Sequence, residues 1–99
     1  MNLVDANVLL YAVNTDAAHH ERSRRWLEAW LGAAPPVVVE PTPHHARLLQ
    51  SLLAPLGTGG NLVNDAHLAA LATEHRCGIV SFDADFARFP GVRWQPPPD

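Results

Sequence analysis

The 99-residue sequence contains no lysine; all seven basic side chains are arginines. Any mechanism that needs a lysine amine is therefore excluded. Cysteine is nearly absent as well. Cys77 stands alone, so no internal disulfide forms, and the chain fits a reducing compartment. No apolar run approaches the roughly 20 residues that span a bilayer. Asp5 interrupts Met1-Asn2-Leu3-Val4 at once, which argues against a signal peptide and for a cytoplasmic address with no membrane contact. The net charge of −3 lacks the basic excess of a bulk nucleic-acid binder, but leaves room for an enzyme that grips nucleic acid through metal ions and a few arginines. With an apolar content of 47% and little net charge, nothing in the composition argues for disorder, and the length fits a single domain over residues 1–99.

Apolar runs and helical periodicities alternate along the chain. Leu3-Val4-Asp5 reads as a strand, followed by a tight turn and a short helix over Val8–Val13. Asp16 opens the next helix, about Ala17 to Leu31, with Trp26, Leu27, Trp30 and Leu31 on one face and a Glu21–Arg25 pair. Gly32 to Pro36 stops it. Val37-Val38-Val39-Glu40 reads as a strand, and Thr42-Pro43 starts a helix that ends near Pro55. After the turn Gly57–Asn61, a helix runs from Asn64-Asp65 to about His75, and Gly78 closes it. Ile79-Val80-Ser81 is a third strand, Asp83–Phe86 a turn or short helix, and Val92-Arg93-Trp94 an edge strand. Residues 95–99 form a Pro-rich tail. Strands alternating with helices predict an α/β fold with a mostly parallel, four-stranded sheet.

In such a sheet, functional sites form beyond the carboxyl ends of the strands. Asp5 ends the first strand, Asp83 lies just past the third, and Asp65 lies in the first turn of a helix. Two like charges about 4 Å apart repel by roughly 4 kcal/mol at an effective dielectric of 20. Three carboxylates in one crevice thus need protons or a cation. Hard oxygen ligands favour Mg²⁺ or Mn²⁺, and such an ion activates water for attack on a phosphodiester. Each acid has a structural alternative: Asp65 as a helix cap, Asp83 or Asp85 as a turn residue. The combination carries more weight than any member.

Three segments, Leu3-Val4-Asp5-Ala6-Asn7-Val8-Leu9-Leu10-Tyr11-Ala12, Asn64-Asp65-Ala66-His67-Leu68-Ala69-Ala70-Leu71-Ala72 and Ile79-Val80-Ser81-Phe82-Asp83-Ala84-Asp85-Phe86, resemble in order those of the PIN domain. More narrowly the chain looks like the VapC toxins of type II toxin–antitoxin systems, and Arg88–Trp94 is similar to the ending of that subgroup. The resemblance implies a PIN-like three-layer fold and a Mg²⁺- or Mn²⁺-dependent endoribonuclease acting on RNA, held in check by a VapB-like antitoxin. It implies Asp5, Asp65 and Asp83 as catalytic and metal-binding carboxylates, Asn7 and Ser81 as supporting hydrogen-bonding residues, and Asp85 as a nearby substitute. The family is about a third longer and carries two more helices before the Val37 strand, the first commonly with a further site Glu. Here only Gly32 to Pro36 spans that interval, so the chain looks internally deleted, with three of four usual carboxylates; Glu40 does not replace the fourth. Apolar surface once covered by those helices predicts a homodimer or an exchanged-element oligomer.

The remaining features read more plainly. His19-His20 and His44-His45 are adjacent pairs whose side chains diverge, and are expected at exposed helix ends. His67 is a candidate to line the acidic site. Gly57-Thr58-Gly59-Gly60 lacks the Gly-Lys-Ser/Thr ending of a phosphate loop, and Cys77 reads as a buried thiol. A response-regulator phosphotransfer domain is disfavoured because it needs an acidic pair and a lysine. The alternative that stays open is a catalytically impaired PIN remnant that binds an antitoxin or another toxin subunit.

Overall fold

The computed structural model describes residues 2–33, 39–56 and 62–98. β1 (Asn2–Val4) leads into α1 (Ala6–Val13), and α2 (His20–Ala33) packs back against α1. α3 (His45–Leu53) runs into a 3-10 turn over Ala54–Leu56 and packs on α4 (Leu62–His75). β2 (Gly78–Val80), a 3-10 segment (Ala84–Arg88) and β3 (Trp94–Gln95) complete the chain. The three strands lie in sequence order and are all parallel, with Leu3 opposite Ile79 and Ile79 opposite Trp94. β2, central in the sheet, is fully buried, as its unbroken apolar sequence requires.

The core lies between the sheet and α4. Leu62, Ala66, Ala69 and Ala72 of α4 meet Ile79, Phe86 and Phe89, with Leu3, Leu49, Leu52, Leu53 and Trp94 packed around them. Alanines on the inner face of α4 let its backbone approach the sheet, and the two phenylalanines fill the remaining volume. α4 ends on a Schellman motif. The Cys77 amide donates to the Ala72 carbonyl at 2.8 Å and the Arg76 amide to Thr73 at 3.3 Å. Arg76, at φ 55°, occupies the left-handed position usually given to glycine. Gly78, expected to close the helix, lies instead in β2, where a Cβ would sit 2.6 Å from Asn2 Oδ1.

Element bounds differ from the sequence reading at several ends. α2 begins at His20 rather than near Ala17, because Asn14, Ala17 and His20 are joined by successive backbone turns and Asn14 Oδ1 accepts from the Asp16 amide. Arg24, not Arg25, pairs with Glu21, and it also reaches Glu28. Thr42 does act at the start of α3: its hydroxyl accepts from the His44 amide at 3.2 Å. The strand expected over Val37–Glu40 falls partly on residues 34–38, outside the described residues; Val39 and Glu40 are irregular. The turn expected over residues 57–61 also lies outside the described residues. The described sheet has three strands where four were expected. β3 begins at Trp94 rather than Val92 and takes in Gln95, and Pro97 is buried with its carbonyl accepting from Arg22 Nε, so part of the Pro-rich tail is packed.

Candidate metal centre

The acidic site forms where β1, the first turn of α4 and the loop after β2 meet. Asp5 takes the N-cap position of α1 with extended backbone (φ −70°, ψ 146°), yet its side chain makes no cap hydrogen bond. The carboxylate turns instead to Ser81, whose Oγ donates to Asp5 Oδ2 at 2.7 Å. The Asp5 amide continues the parallel ladder by donating to the Val80 carbonyl at 3.0 Å. Strand pairing therefore fixes the position of Asp5, and a buried hydroxyl fixes its orientation.

Ser81, fully buried, is the hub. Its Oγ accepts from Asn7 Nδ2 at 3.1 Å and from the Asp83 amide at 2.9 Å while donating to Asp5. Asn7 Oδ1 accepts from the Phe82 amide at 3.4 Å. Asn7 and Ser81 thus clamp α1 to the loop that carries Asp83. Asp83 caps the 3-10 segment, its Oδ1 accepting from the Asp85 amide at 2.9 Å. The turn reading and the cluster reading of Asp83 hold together, since one carboxylate oxygen serves the turn and the residue still faces Asp65.

Asp65, Asp83 and Asp85 each offer a carboxylate oxygen, and the three oxygens lie within 4.8 Å of one another. Asp85, expected only to support the site, is a full member of this trio. Asp5 stands beside it through Ser81. The signal for Asp85 was its place two residues beyond Asp83, where a capping carboxylate draws the next turn of chain back toward itself. Arg88 Nε lies 3.2 Å from Asp85 Oδ1 and offsets part of the negative charge from an exposed position.

Burial, a shared hydrogen bond with Asp83 and the negative charges of Asp83, Asp5 and Asp85 push the Asp65 carboxyl up to about 7. A proton held between Asp65 and Asp83 stands where a cation would bring the same relief. The donor set is all carboxylate oxygen, which suits a hard divalent ion rather than a thiophilic one. Octahedral ligation at 2.0–2.1 Å separates ligand oxygens by about 3–4 Å, so the trio fits after a small contraction.

His67 does not line this site. Residues two apart on a helix point to opposite sides, and the His67 ring stacks on His45 at 5.2 Å with its Nδ1 2.9 Å from His45 Nε2. His45 Nδ1 in turn lies 2.7 Å from Glu74 Oε2, whose side chain is 2% exposed. Burial alone would raise the Glu74 carboxyl; hydrogen bonds from Thr42 and His45 outweigh it and hold the group below its usual range. The expectation of exposed histidines at helix ends therefore fails for His45. It also fails for His20, whose Nδ1 lies 2.9 Å from the Tyr11 carbonyl. No local pattern announces either partner, since Glu74 is 29 residues from His45 and Tyr11 precedes His20 by nine.

Comparison with known proteins gives the family. The PIN domain profile matches residues 29–92. The chain is 44% identical to ribonuclease VapC37 of Mycobacterium tuberculosis over 141 aligned positions, covering 99% of this chain and 98% of the relative. It is 32% identical to ribonuclease VapC31 of the same species, covering 99% of each. A third relative, ribonuclease VapC25, is 48% identical over 58 residues, 59% of this chain. The VapC37 alignment spans 141 positions against 99 residues here, so at least 42 positions of that relative have no counterpart although both ends align. With the parallel sheet, its flanking helices and this degree of identity, the chain belongs to the PIN-domain family, within its VapC ribonuclease branch.

Proposed function

We propose that the chain is a divalent-metal-dependent endoribonuclease, the toxic component of a type II toxin–antitoxin pair, cutting RNA phosphodiesters at the acidic site. The observation that carries this reading is the convergence of Asp65, Asp83 and Asp85 with Asp5 alongside, on a scaffold shared with relatives named as ribonucleases. Asp65, Asp83 and Asp85 would hold the ion, with Asp5 completing the negative pocket; Ser81 and Asn7 keep Asp5 and Asp83 in place. Mg²⁺ or Mn²⁺, when bound, lowers the pKa of a coordinated water and stabilises charge on the attacked phosphate. The chain's own contribution is a fixed set of carboxylates and a raised Asp65 pKa, which sets proton and cation in competition for one place.

RNA is the substrate, a VapB-like antitoxin the regulating partner, and the cytoplasm, where RNA is found and lone thiols stay reduced, the address. Residues 1–99 act as one shortened unit, with the missing helices falling between α2 and α3 and residues 95–99 as its tail. Leu10 and Val13 of α1 are 61% and 77% exposed, with Leu9 and Leu31 also open. This apolar surface supports self-association as a homodimer or an exchanged-element oligomer.

A second reading is favoured by the 42 or more absent positions: a catalytically impaired remnant that keeps antitoxin or toxin binding. Incubation with RNA and Mg²⁺ or Mn²⁺, comparing wild type with Asp5→Ala, separates the two. Metal-dependent cutting that the variant loses supports the enzyme. No cutting by either, with antitoxin binding retained, supports the remnant. Sedimentation as a monomer at micromolar concentration contradicts self-association.

A further inference from the structure

Next to the acidic loop lies a cluster of rings that the metal chemistry does not use. Phe82 sits between Ser81 and Asp83. The His19 ring stacks on it at 4.3 Å with an interplanar angle of 12°. Tyr11 approaches both at a tilt, 5.4 Å from Phe82 and 5.9 Å from His19. The Arg22 guanidinium lies 5.3 Å from the Phe82 centroid. Phe82 and Tyr11 are half-buried, whereas His19 is exposed although one of its faces is covered. The turn that presents His19 is rigidly tied. The Ala17 amide donates to Asn14, the His20 amide donates to Ala17, the Ser23 amide donates to the His19 carbonyl, and His20 Nδ1 meets the Tyr11 carbonyl.

We propose that His19, stacked on Phe82, is a base-stacking platform that holds an unpaired nucleobase of single-stranded RNA beside the metal centre. This rests on the reading of the chain as an RNA-cutting enzyme. A parallel, preformed two-ring stack leaves a flat π-face pointing to solvent, and an unstacked base extends such a stack at little ordering cost. Because Phe82 is bonded directly to Asp83, a base seated there delivers its own backbone to the carboxylates. The acidic cluster gives no attraction to phosphate without a cation, so contact through the base supplies affinity that charge alone does not. Recognition by stacking is tolerant of base identity and requires a single strand, since paired bases keep their faces covered.

The test uses the full chain, Ca²⁺ to neutralise the carboxylates, and fluorescence anisotropy of a short labelled single-stranded RNA whose integrity is checked on a gel. A matched oligomer of abasic nucleotides keeps the phosphates and removes the rings. Loss of one base stack weakens binding by about five- to tenfold at the modest end of such contacts. His19→Ala is expected to show that loss for the base-bearing RNA alone, and His19→Phe to restore it. Equal binding of RNA by wild type and His19→Ala, or equal binding of the abasic and base-bearing oligomers, overturns the platform while leaving the enzyme reading intact. No RNA binding by wild type overturns both. A change in sedimentation of His19→Ala with unchanged RNA affinity assigns the rings to a protein contact and also overturns it.

Discussion

Removing the Ser81 hydroxyl tests the account of the site most directly. Ser81→Ala deletes one oxygen from a fully buried position and with it three hydrogen bonds: to Asp5 at 2.7 Å, from Asn7 at 3.1 Å and from the Asp83 amide at 2.9 Å. The bond to Asp5 is charge-assisted and worth about 1.5–3 kcal/mol; the other two are worth about 1 kcal/mol each. Asp5, Asn7 and Asp83 are all half-buried and regain some of this from water. The net expectation is a loss of about 2–3 kcal/mol, about 10–20 °C in Tm for a domain of this size. Urea unfolding followed by fluorescence reads it locally in a background carrying Trp26→Phe and Trp30→Phe, since the remaining Trp94 indole donates to the Ser81 carbonyl at 2.9 Å. Affinity for Mn²⁺ should fall about tenfold or more, as it does when groups that orient metal ligands are removed. In a cycle with Asn7→Ala the two losses should fail to add by about 1 kcal/mol. A stability change under about 0.5 kcal/mol with unaltered Mn²⁺ affinity would show that Ser81 does not organise the site.

The raised Asp65 carboxyl sets a pH dependence of definite sign. With its folded pKa at about 7 against an ordinary 3.8, the native state holds a proton that the unfolded chain has lost, so this contribution is present below the lower value and vanishes as pH rises through about 7. In chelator, this group should lower stability by about 1–2 kcal/mol between about pH 5 and pH 7, the full shift being discounted for a half-open site; added Mg²⁺ should reverse the trend, and a rise in the urea midpoint from about pH 5 to pH 7 without metal contradicts it. Glu74→Gln keeps the shape of a buried side chain but removes a charged acceptor from Thr42 and His45, and should cost about 1.5–3 kcal/mol by chemical denaturation. Ser23 is fully buried and its hydroxyl has no partner among the described residues, so Ser23→Ala should stabilise by up to about 1 kcal/mol, and a destabilisation of that size would reveal a bond the geometry does not contain.

Particular residues explain what the sequence made legible. Asp5 and Asp83 lie where short apolar strands end, and a parallel sheet must present those ends together, so their proximity followed from chain order. Asp65 followed from the helix start. Asp85 is not set apart by sequence, because a single residue separates it from Asp83 and turn chemistry accounts for either alone. Arg76 and Gly78 show a different limit. Composition favours glycine at a helix stop, yet the close approach of Asn2 to β2 needs the missing Cβ more, and the left-handed position falls to arginine. Glu74 with His45, and His19 with Phe82, escape local reading because each pair joins elements far apart in sequence.

The shortening relative to VapC37 bears unequally on the two halves of the site. α4, β2 and the acidic loop form one continuous stretch, residues 62–88, and contain the whole carboxylate trio, its 3-10 cap and much of the core. The further strand that this half uses for Asp5 is β1, held in parallel register by Asn2, Leu3 and Val4 against Gly78, Ile79 and Val80. Among the described residues between α2 and α3, Glu40 and Thr42 meet the far end of α4 at His75 and Glu74 and none bonds the carboxylate trio, whereas α1 and α2 bear the exposed apolar side chains. A loss of helices from that interval would take away the further Glu that the family resemblance places there, and leave Asp65, Asp83 and Asp85 with Asp5 beside them. We accordingly predict a saturable Mn²⁺ site by calorimetry in the wild-type chain whether or not it cuts RNA, abolished in Asp65→Asn combined with Asp83→Asn while helical content by circular dichroism is kept. Absence of a Mn²⁺ site in a folded wild-type chain would show that the trio with Asp5 does not hold an ion without the missing Glu, and refutes the view that the acidic half of the fold stands on its own.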